Sequence, residues 1–429
     1  MINVALELRD KDLYGLDLSH PENGNPGIGG SEWLFLMLAQ YLQIFYAKKY
    51  RISIFHYSDC KIPEGIKDIR IKTEEELLKM LETSGDEIII HQIAKSKKWY
   101  QRIARINIID IPWAHCYIKY NEVMDINQCT RVKRVVFVGR EELDAYIDDD
   151  IIEKSVYIYN MINTKGQHKN RKVNFNKTVT YLGSLVPEKY FHRLAEIWPE
   201  ILKRVPDAKL QVIGTGKLYN RDAKLGRFGI AQKEYEDYFM KFLTDEKGEI
   251  LPSVTFLGIV GEDKEEYFTK TAVGVVNPSG VDETFCLSAV EMELCGVPIV
   301  TKKKYGLLDT VSHKRTGLLF RSRKGFVYYI VKLLKDKKIN EILGNNASLF
   351  VAKRFEAQNV ICQWDELFQN ILDGHPVEYQ KPISNFGNDL KWLRIINRKL
   401  RFDMGCRKLP SVNRVKFILR KLLKSANGK

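Results

Sequence analysis

The 429-residue chain is 45% hydrophobic and 28% charged, with a net charge of +14 at pH 7. Its length exceeds one ordinary core and suits two domains of about 150–200 residues, with the composition of a soluble globular protein. No run approaches the ~20 apolar residues of a bilayer span, no secretory signal is visible, and the seven scattered cysteines form no CxxC pair, which argues against a zinc or disulfide framework and favours a reducing cytoplasm.

Short runs rich in Ile and Val alternate with helix-like segments. In the first half they are Ile2–Leu8, Ile52–Tyr57, Glu87–Ile93, Ile106–Ile111 and Val135–Val138. Runs this short and apolar read as parallel strands covered on both faces, so the chain is of the α/β class. After the first run comes Asn23-Gly24-Asn25-Pro26-Gly27-Ile28-Gly29-Gly30-Ser31-Glu32, before an apolar helix expected near Trp33 with Ser31 as N-cap. Glycines before a helix let a ligand approach the backbone, and the helix N-terminus favours an anion. The dinucleotide fingerprint fails at Glu32, where its third glycine belongs, and no GxxxxGK[ST] spacing occurs. His91 ends a strand and reads as a satisfied, buried histidine; His115 follows Trp113 in a similar setting. Asp148-Asp149-Asp150 reads as a solvated turn rather than a metal motif.

The polar, basic stretch Asn163 to Lys177 reads as a linker, giving domains 1–165 and 166–374. Strands follow at Thr178–Leu182, Leu210–Ile213, Val254–Leu257, Val273–Val276 and Ile299–Thr301. After Val276 comes Asn277-Pro278-Ser279-Gly280-Val281-Asp282-Glu283. A helix beginning near Thr284 would carry Glu291 to within about 80° of the face of Glu283. Its N–H groups would aim at an anion or sugar hydroxyls, and a carboxylate there can accept from a vicinal diol such as a ribose.

Residues 375–429 form a basic tail: Lys391 to Lys429 holds thirteen Lys/Arg and one acid, Asp403, so the remaining residues are nearly balanced. Between Val412 and Lys424 a helix gathers Val412, Val415, Ile418, Leu419, Leu422 and Leu423 opposite Arg414, Lys416, Arg420, Lys421 and Lys424, with Phe417 misplaced. From Leu390 to Leu400 the pattern repeats, with Trp392, Leu393, Ile396 and Leu400 opposite Lys391, Arg394 and Arg398. Basic amphipathic helices suit an anionic membrane surface, so the tail is expected to hold the protein peripherally on the inner face of the cytoplasmic membrane. Its few aromatics give little support to nucleic-acid binding. No compact His/Cys/Asp/Glu cluster has ligand spacing, so no metal is expected.

Taken together, Asn277 to Glu291 resembles the donor site of glycosyltransferase family 4, of the GT-B fold. That family carries Glu-x7-Glu preceded by Pro-Ser and followed by Gly-x-Pro-Val-Val; here Pro278-Ser279 precede Glu283 and Glu291, and Gly296-Val297-Pro298-Ile299-Val300 follow. Tyr181-Leu182-Gly183-Ser184-Leu185-Val186-Pro187-Glu188-Lys189 looks like its strand and phosphate loop, and Val212-Ile213-Gly214-Thr215-Gly216, Phe256-Leu257-Gly258 and Thr316-Gly317-Leu318-Leu319 also match. Gly29-Gly30-Ser31-Glu32, His115 and Tyr159-Asn160 fall where the family has its acceptor loop, active-site histidine and domain junction.

The resemblance, over roughly residues 1 to 370, implies two Rossmann-like domains with a cleft between them. It implies retaining transfer of a hexosyl or N-acetylhexosaminyl group from a nucleotide-diphosphate sugar to a glycan or lipid-linked acceptor, with no obligatory metal. Glu291 would hold the ribose. Glu283 and the backbone of Thr284, Phe285, Cys286 and Leu287 would hold the sugar and distal phosphate. Lys189, beside Ser184, would neutralise the leaving diphosphate, and Gly214 and Gly216 would admit the nucleotide. His115 and the Gly29-Gly30-Ser31-Glu32 loop would face the sugar and phosphates. Four positions depart from the pattern: Ser184 replaces an arginine, Thr284 and Cys286 replace glycines, and Tyr190 replaces the glycine after Lys189. The lost arginine leaves a second reading open, a degenerate GT-B subunit that scaffolds a partner transferase.

Overall fold

The computed structural model describes residues 1–164, 176–218 and 221–427. Strands β1 (Ile2–Leu8), β2 (Tyr50–His56), β3 (Lys67–Arg70), β4 (Ile88–Gln92), β5 (Ile109–Ala114), β6 (Val135–Phe137) and β7 (Ser155–Tyr157) form one parallel sheet in the order β3-β2-β1-β4-β5-β6-β7. A second parallel sheet contains β8 (Thr178–Leu182), β9 (Lys209–Ile213), β10 (Val254–Gly258), β11 (Val273–Val275), β12 (Ile299–Lys302) and β13 (Gly317–Phe320), in the order β10-β9-β8-β11-β12-β13. In each, the chain builds outward from its first strand, then returns to that strand's other side. This doubly wound pattern opens a crevice at the carboxyl ends of the two strands where the order reverses, β1 with β4 and β8 with β11.

Three strands escape the sequence pattern. β3 is an edge strand whose Lys67, Asp68 and Arg70 are exposed; β7 has three residues; β13 begins with glycine. The others follow from apolar runs buried on both sides, with Phe55, Ile89, Trp99 and Phe137 in one core and Tyr181, Trp198, Phe239 and Val273 in the other. Each such side chain contributes about 1.5–3 kcal/mol by leaving water.

The chain makes two units that are not contiguous halves. One comprises Met1–Lys11, Leu38–Tyr159 and Val360–Lys429; the other comprises Asp12–Met37 and Asn160–Asn359. This differs from the expected 1–165, 166–374 and 375–429. The glycine-rich loop and the first turns of α1 (Gly30–Tyr46) belong with the second unit, because a Cβ on Gly27 would meet Ile259 and one on Gly30 would meet Leu287, at the start of α2 (Leu287–Leu294). Most of α3 (Ala357–Leu372) belongs with the first unit: Trp364 lies edge-on to Trp113 at 4.9 Å, and Asp365 accepts from Lys49 and Tyr50, each at 2.5 Å. Of the expected linker, residues 165–175 lie outside the described residues.

The tail packs on the first unit. In α4 (Lys391–Arg398) the basic side is buried, Lys391 being 2% and Arg394 0% exposed. Lys391 Nζ lies 2.8 Å from Glu141 and 2.7 Å from Asp144, and Arg394 lies 3.1 Å from Asp148. Arg401, just beyond, lies 2.9 Å from Asp150. Asp148-Asp149-Asp150 is therefore an anchor, not a solvated turn: Asp148 and Asp149 are buried. Asp148 also accepts from Asn397 at 2.9 Å and from the Val412 N–H at 2.6 Å, where α5 (Val412–Asn427) begins. Buried acids need such partners, and here distant cations supply them. Phe417, misplaced on the apolar stripe, packs its ring 5.2 Å from Tyr120 and so faces the body.

Candidate functional site

β8 ends at Leu182 and runs through Gly183-Ser184 into the 3-10 turn Pro187–Lys189. β11 ends at Val275 and continues through residues 276–286 to α2. These neighbouring strands flank the switch point, so the two loops leave side by side, and Lys189 Nζ lies 3.2 Å from Glu283 Oε2. Asn277 Nδ2 donates to the same oxygen at 2.7 Å. The loop bends through positive φ at Asn277 (28°), Gly280 (66°) and Asp282 (53°). Outside glycine such angles cost ~1 kcal/mol or more, least for Asn and Asp, whose side chains bond locally. Asn277 Oδ1 does so, accepting from Ser279 Oγ and the Gly280 N–H, each at 3.1 Å. Tyr190, after Lys189, also has φ at 56°, which explains why glycine suits that place.

Gly306 was not singled out from the sequence, yet it holds this loop from behind. Its N–H donates to the Glu283 carbonyl at 2.8 Å, and a Cβ there would lie 2.0 Å from the Thr284 carbonyl oxygen. Nothing in Lys303-Lys304-Tyr305-Gly306 advertises that approach.

α2 starts at Leu287, three residues later than expected near Thr284. Glu283 therefore stands in the loop rather than at the helix mouth, and its face is not related to that of Glu291 by helical rotation. Of residues 283–290, only Leu287 and Ser288 are not buried. Phe285 turns inward, its ring 5.1 Å from Phe355. Cys286 lies in the core, where burial pushes its thiol well above the usual range and leaves it inert. Glu291 pairs with Lys264 at 2.7 Å; both are largely buried, and Lys264 was also missed. The pair borders a depression lined with Glu22, Asn23, Trp33 and Phe268. A further cavity of about 200 Å³, shared through Asn23, Trp33 and Glu262, extends to His20 and Ile28.

Residues 163–350, which carry Lys189, Glu283 and Glu291, match the model of the family described as glycosyl transferases group 1. The match covers this segment, which is less than half of the chain. The chain is 26% identical to the capsular polysaccharide biosynthesis glycosyltransferase CapM of Staphylococcus aureus, over 49% of this chain and 50% of that one. It thus spans about half the length of that curated relative. Among solved structures, sucrose-phosphate synthase from Thermosynechococcus elongatus is similar with a TM-score of 0.65 and 18% identity, over 87% of this chain and 100% of that one. Anabaena Alr3699/HepE in complex with UDP and glucose has a TM-score of 0.64 and 16% identity, over 86% and 100%. The fold is GT-B, with two Rossmann-like sheets.

Within the group 1 segment, Gly214 and Gly216 serve close approach between loops of the protein itself. A Cβ on Gly214 would meet the Gly183 carbonyl oxygen at 1.9 Å, and one on Gly216 would meet Ala231 Cα at 2.8 Å. Ser184 is buried, its Oγ donating to the Thr215 carbonyl at 3.2 Å, so it adds no charge in place of the family's arginine. Gly30 begins α1 against Leu287, which brings the glycine loop to the N-terminus of α2. Ser31 is inside the first turn; Gly29 takes the cap position, its carbonyl accepting the Trp33 N–H at 3.1 Å. The Glu32 carboxylate lies over Gly29, where a Cβ would be 2.0 Å from Oε2.

His115 belongs to the other unit, at the end of β5, with its ring 4.4 Å from Trp113. Burial pushes its pKa down to about 3, so the imidazole is neutral near pH 7. His91 is fully buried, 2.8 Å from Asp110, and is structural. The expectation that no ligand-type cluster forms needs correction among the described residues: Asp10, His56 and Cys60 converge beside β1 and β2. Asp10 Oδ2 lies 3.2 Å from His56 Nδ1 and 3.1 Å from Cys60 Sγ, and His56 Nε2 lies 2.7 Å from Asp68. Burial lowers the His56 pKa, but hydrogen bonds to Asp10, Cys60 and Asp68 outweigh it and hold the ring near a pKa of about 10. The contacts are accounted for as an imidazolium–carboxylate network.

Glu293, also in α2, is fully buried and accepts from Thr316 Oγ1 at 2.7 Å. Burial holds its carboxyl well above the usual carboxylate range. Its folded pKa exceeds its unfolded one, so its stabilisation is complete below pH 4.5 and declines as pH rises. Glu293→Gln should therefore show a shallower loss of melting temperature than wild type between pH 4 and pH 7. Parallel melting curves across that range would contradict the assignment.

Proposed function

We propose that this GT-B protein is a retaining glycosyltransferase that moves a hexosyl or N-acetylhexosaminyl group from a nucleotide-diphosphate sugar to a glycan or lipid-linked acceptor. The contact between Lys189 and Glu283 carries this reading. It sets a cation and a carboxylate at the carboxyl ends of adjacent strands, at a switch point where open α/β sheets take nucleotides. Breaking the sugar–phosphate bond leaves a diphosphate and an oxocarbenium-like sugar. Lys189 and the N-terminus of α2 meet the diphosphate with charge already in place. Glu283 accepts from hydroxyls of the transferred sugar, and Glu291 exchanges Lys264 for the ribose diol. A structural neighbour in complex with UDP and glucose and a relative named for capsular polysaccharide biosynthesis support the donor and product classes. Residence is cytoplasmic, peripheral at the inner membrane face.

No metal enters this chemistry. A nucleoside diphosphate should raise the melting temperature in EDTA, by the equivalent of about 2.7 kcal/mol at a hundredfold excess over Kd. Lys189→Ala should shrink that shift, and transfer should continue in EDTA. Transfer abolished by EDTA and restored by Mn²⁺ or Mg²⁺ would overturn the metal-free reading. The neutral Ser184 favours a second reading, a degenerate subunit that scaffolds a partner transferase. Nucleotide binding without donor hydrolysis or transfer would select it.

A further inference from the structure

The burial of α4 by its basic side has a physical counterpart. Turning Lys391 and Arg394 inward turns Trp392 (51% exposed) and Ile396 (51%) outward. α5 does the same: Phe417 faces Tyr120, while Leu422 (61%) and Leu423 (63%) face water. A surface helix ordinarily buries its apolar side; α4 is inverted in this respect, and α5 leaves its apolar residues outward beside exposed Arg414, Arg420 and Lys421. Their placement is fixed, since Arg394 Nη2 lies 3.0 Å from Asn413 Oδ1, and Lys416 Nζ lies 2.6 Å from Asp389. Of the 25 exposed large hydrophobics among the described residues, 14 lie after Gly374. Apolar surface gathered this way marks an interaction site.

We propose that the outward faces of α4 and α5 dock on the interfacial region of an anionic lipid surface, lying in its plane. Charge decides the occupant. Lys399, Lys408, Arg414, Arg420 and Lys421 are exposed along the same segments, so the apolar residues come with cations that complement acidic headgroups. A second copy would present the same cations and be repelled. The outward apolar residues are mostly aliphatic, and aliphatic side chains offer no stacking platform for bases. A tryptophan with Leu and Ile beside basic residues is the composition of helices seated at the headgroup boundary. No helix among the described residues is long and apolar enough to cross a membrane. Leucine, isoleucine and tryptophan make the contact, while Lys391 and Arg394, expected on the solvated side, serve the protein's interior.

The test is flotation of the full chain with vesicles of phosphatidylcholine and increasing phosphatidylglycerol, compared with the double variant Ile396→Glu/Leu422→Glu. Both positions are exposed, so the variant should melt like wild type. Binding should rise with phosphatidylglycerol, fall with salt, and drop on the order of tenfold or more in the variant. Equal binding by wild type and variant would overturn the proposal. So would absence of binding at all compositions, a dimer that the variant converts to monomer, or single-stranded nucleic acid retained by wild type in place of vesicles. The readout is lipid binding, so a failure of the transferase reading leaves it interpretable.

Discussion

Glu283→Gln should purify folded and transfer sugar roughly 10²–10³-fold more slowly than wild type, the loss associated with removing one electrostatic contact to a reacting group. The amide oxygen can still accept from Asn277, which lies 2.7 Å from the carboxylate, and the Glu283 carbonyl keeps its bond from Gly306. Lys189, whose side chain is 30% exposed, can turn to water. Melting should stay within about 1 kcal/mol of wild type for these reasons. Removing the negative charge weakens the acceptor for the sugar hydroxyls and loosens Lys189 at once. Initial rates with a nucleotide-sugar donor, measured beside a melting curve, check both halves. Wild-type turnover in a folded variant would end the assignment of Glu283 to the donor.

Asp148→Ala should have the largest effect on stability, about 3–5 kcal/mol, because it removes one partner from a buried charge pair. Arg394 has no exposure and is left with Asp389 as its ion-pair partner, Asn397 keeps the Pro410 carbonyl, and the Val412 N–H loses its acceptor. Trypsin should then cut between Lys391 and Arg420 at concentrations that leave the wild type whole. Asp148→Asn, which keeps an acceptor but no charge, should fall between the two. A resistant tail with an unchanged melting temperature would show that the acidic anchor is dispensable.

Much of the fold was legible because parallel strands buried on both faces must be short, apolar and β-branched, and Ile2–Leu8 and Thr178–Leu182 are read to the residue. β3 was not, because an edge strand can be written in charged residues. At the site, Lys189 and Glu283 were readable as a pattern, and the structure brings them together. Lys264 and Gly306 were not, since a lysine matters there through its partner across the fold and a glycine through another loop's carbonyl. The tail shows a different limit. Helical periodicity tells which residues share a face, but which face turns inward depends on what waits to receive it. Here that was an acidic run some 246 residues earlier.

That separation also sets a timetable. At ~5–20 residues per second of synthesis, Asp148 leaves the ribosome roughly 12–50 s before the Arg394 that neutralises it. Trp113 likewise precedes Trp364, its partner in the first unit. Until Val360–Lys429 arrives, the first unit holds its sheet with the acids of residues 141–150 lacking their cations and an apolar wall lacking its cover. The second unit, completed by Asn359, can close first, so the unit that begins at the N-terminus is the last to finish.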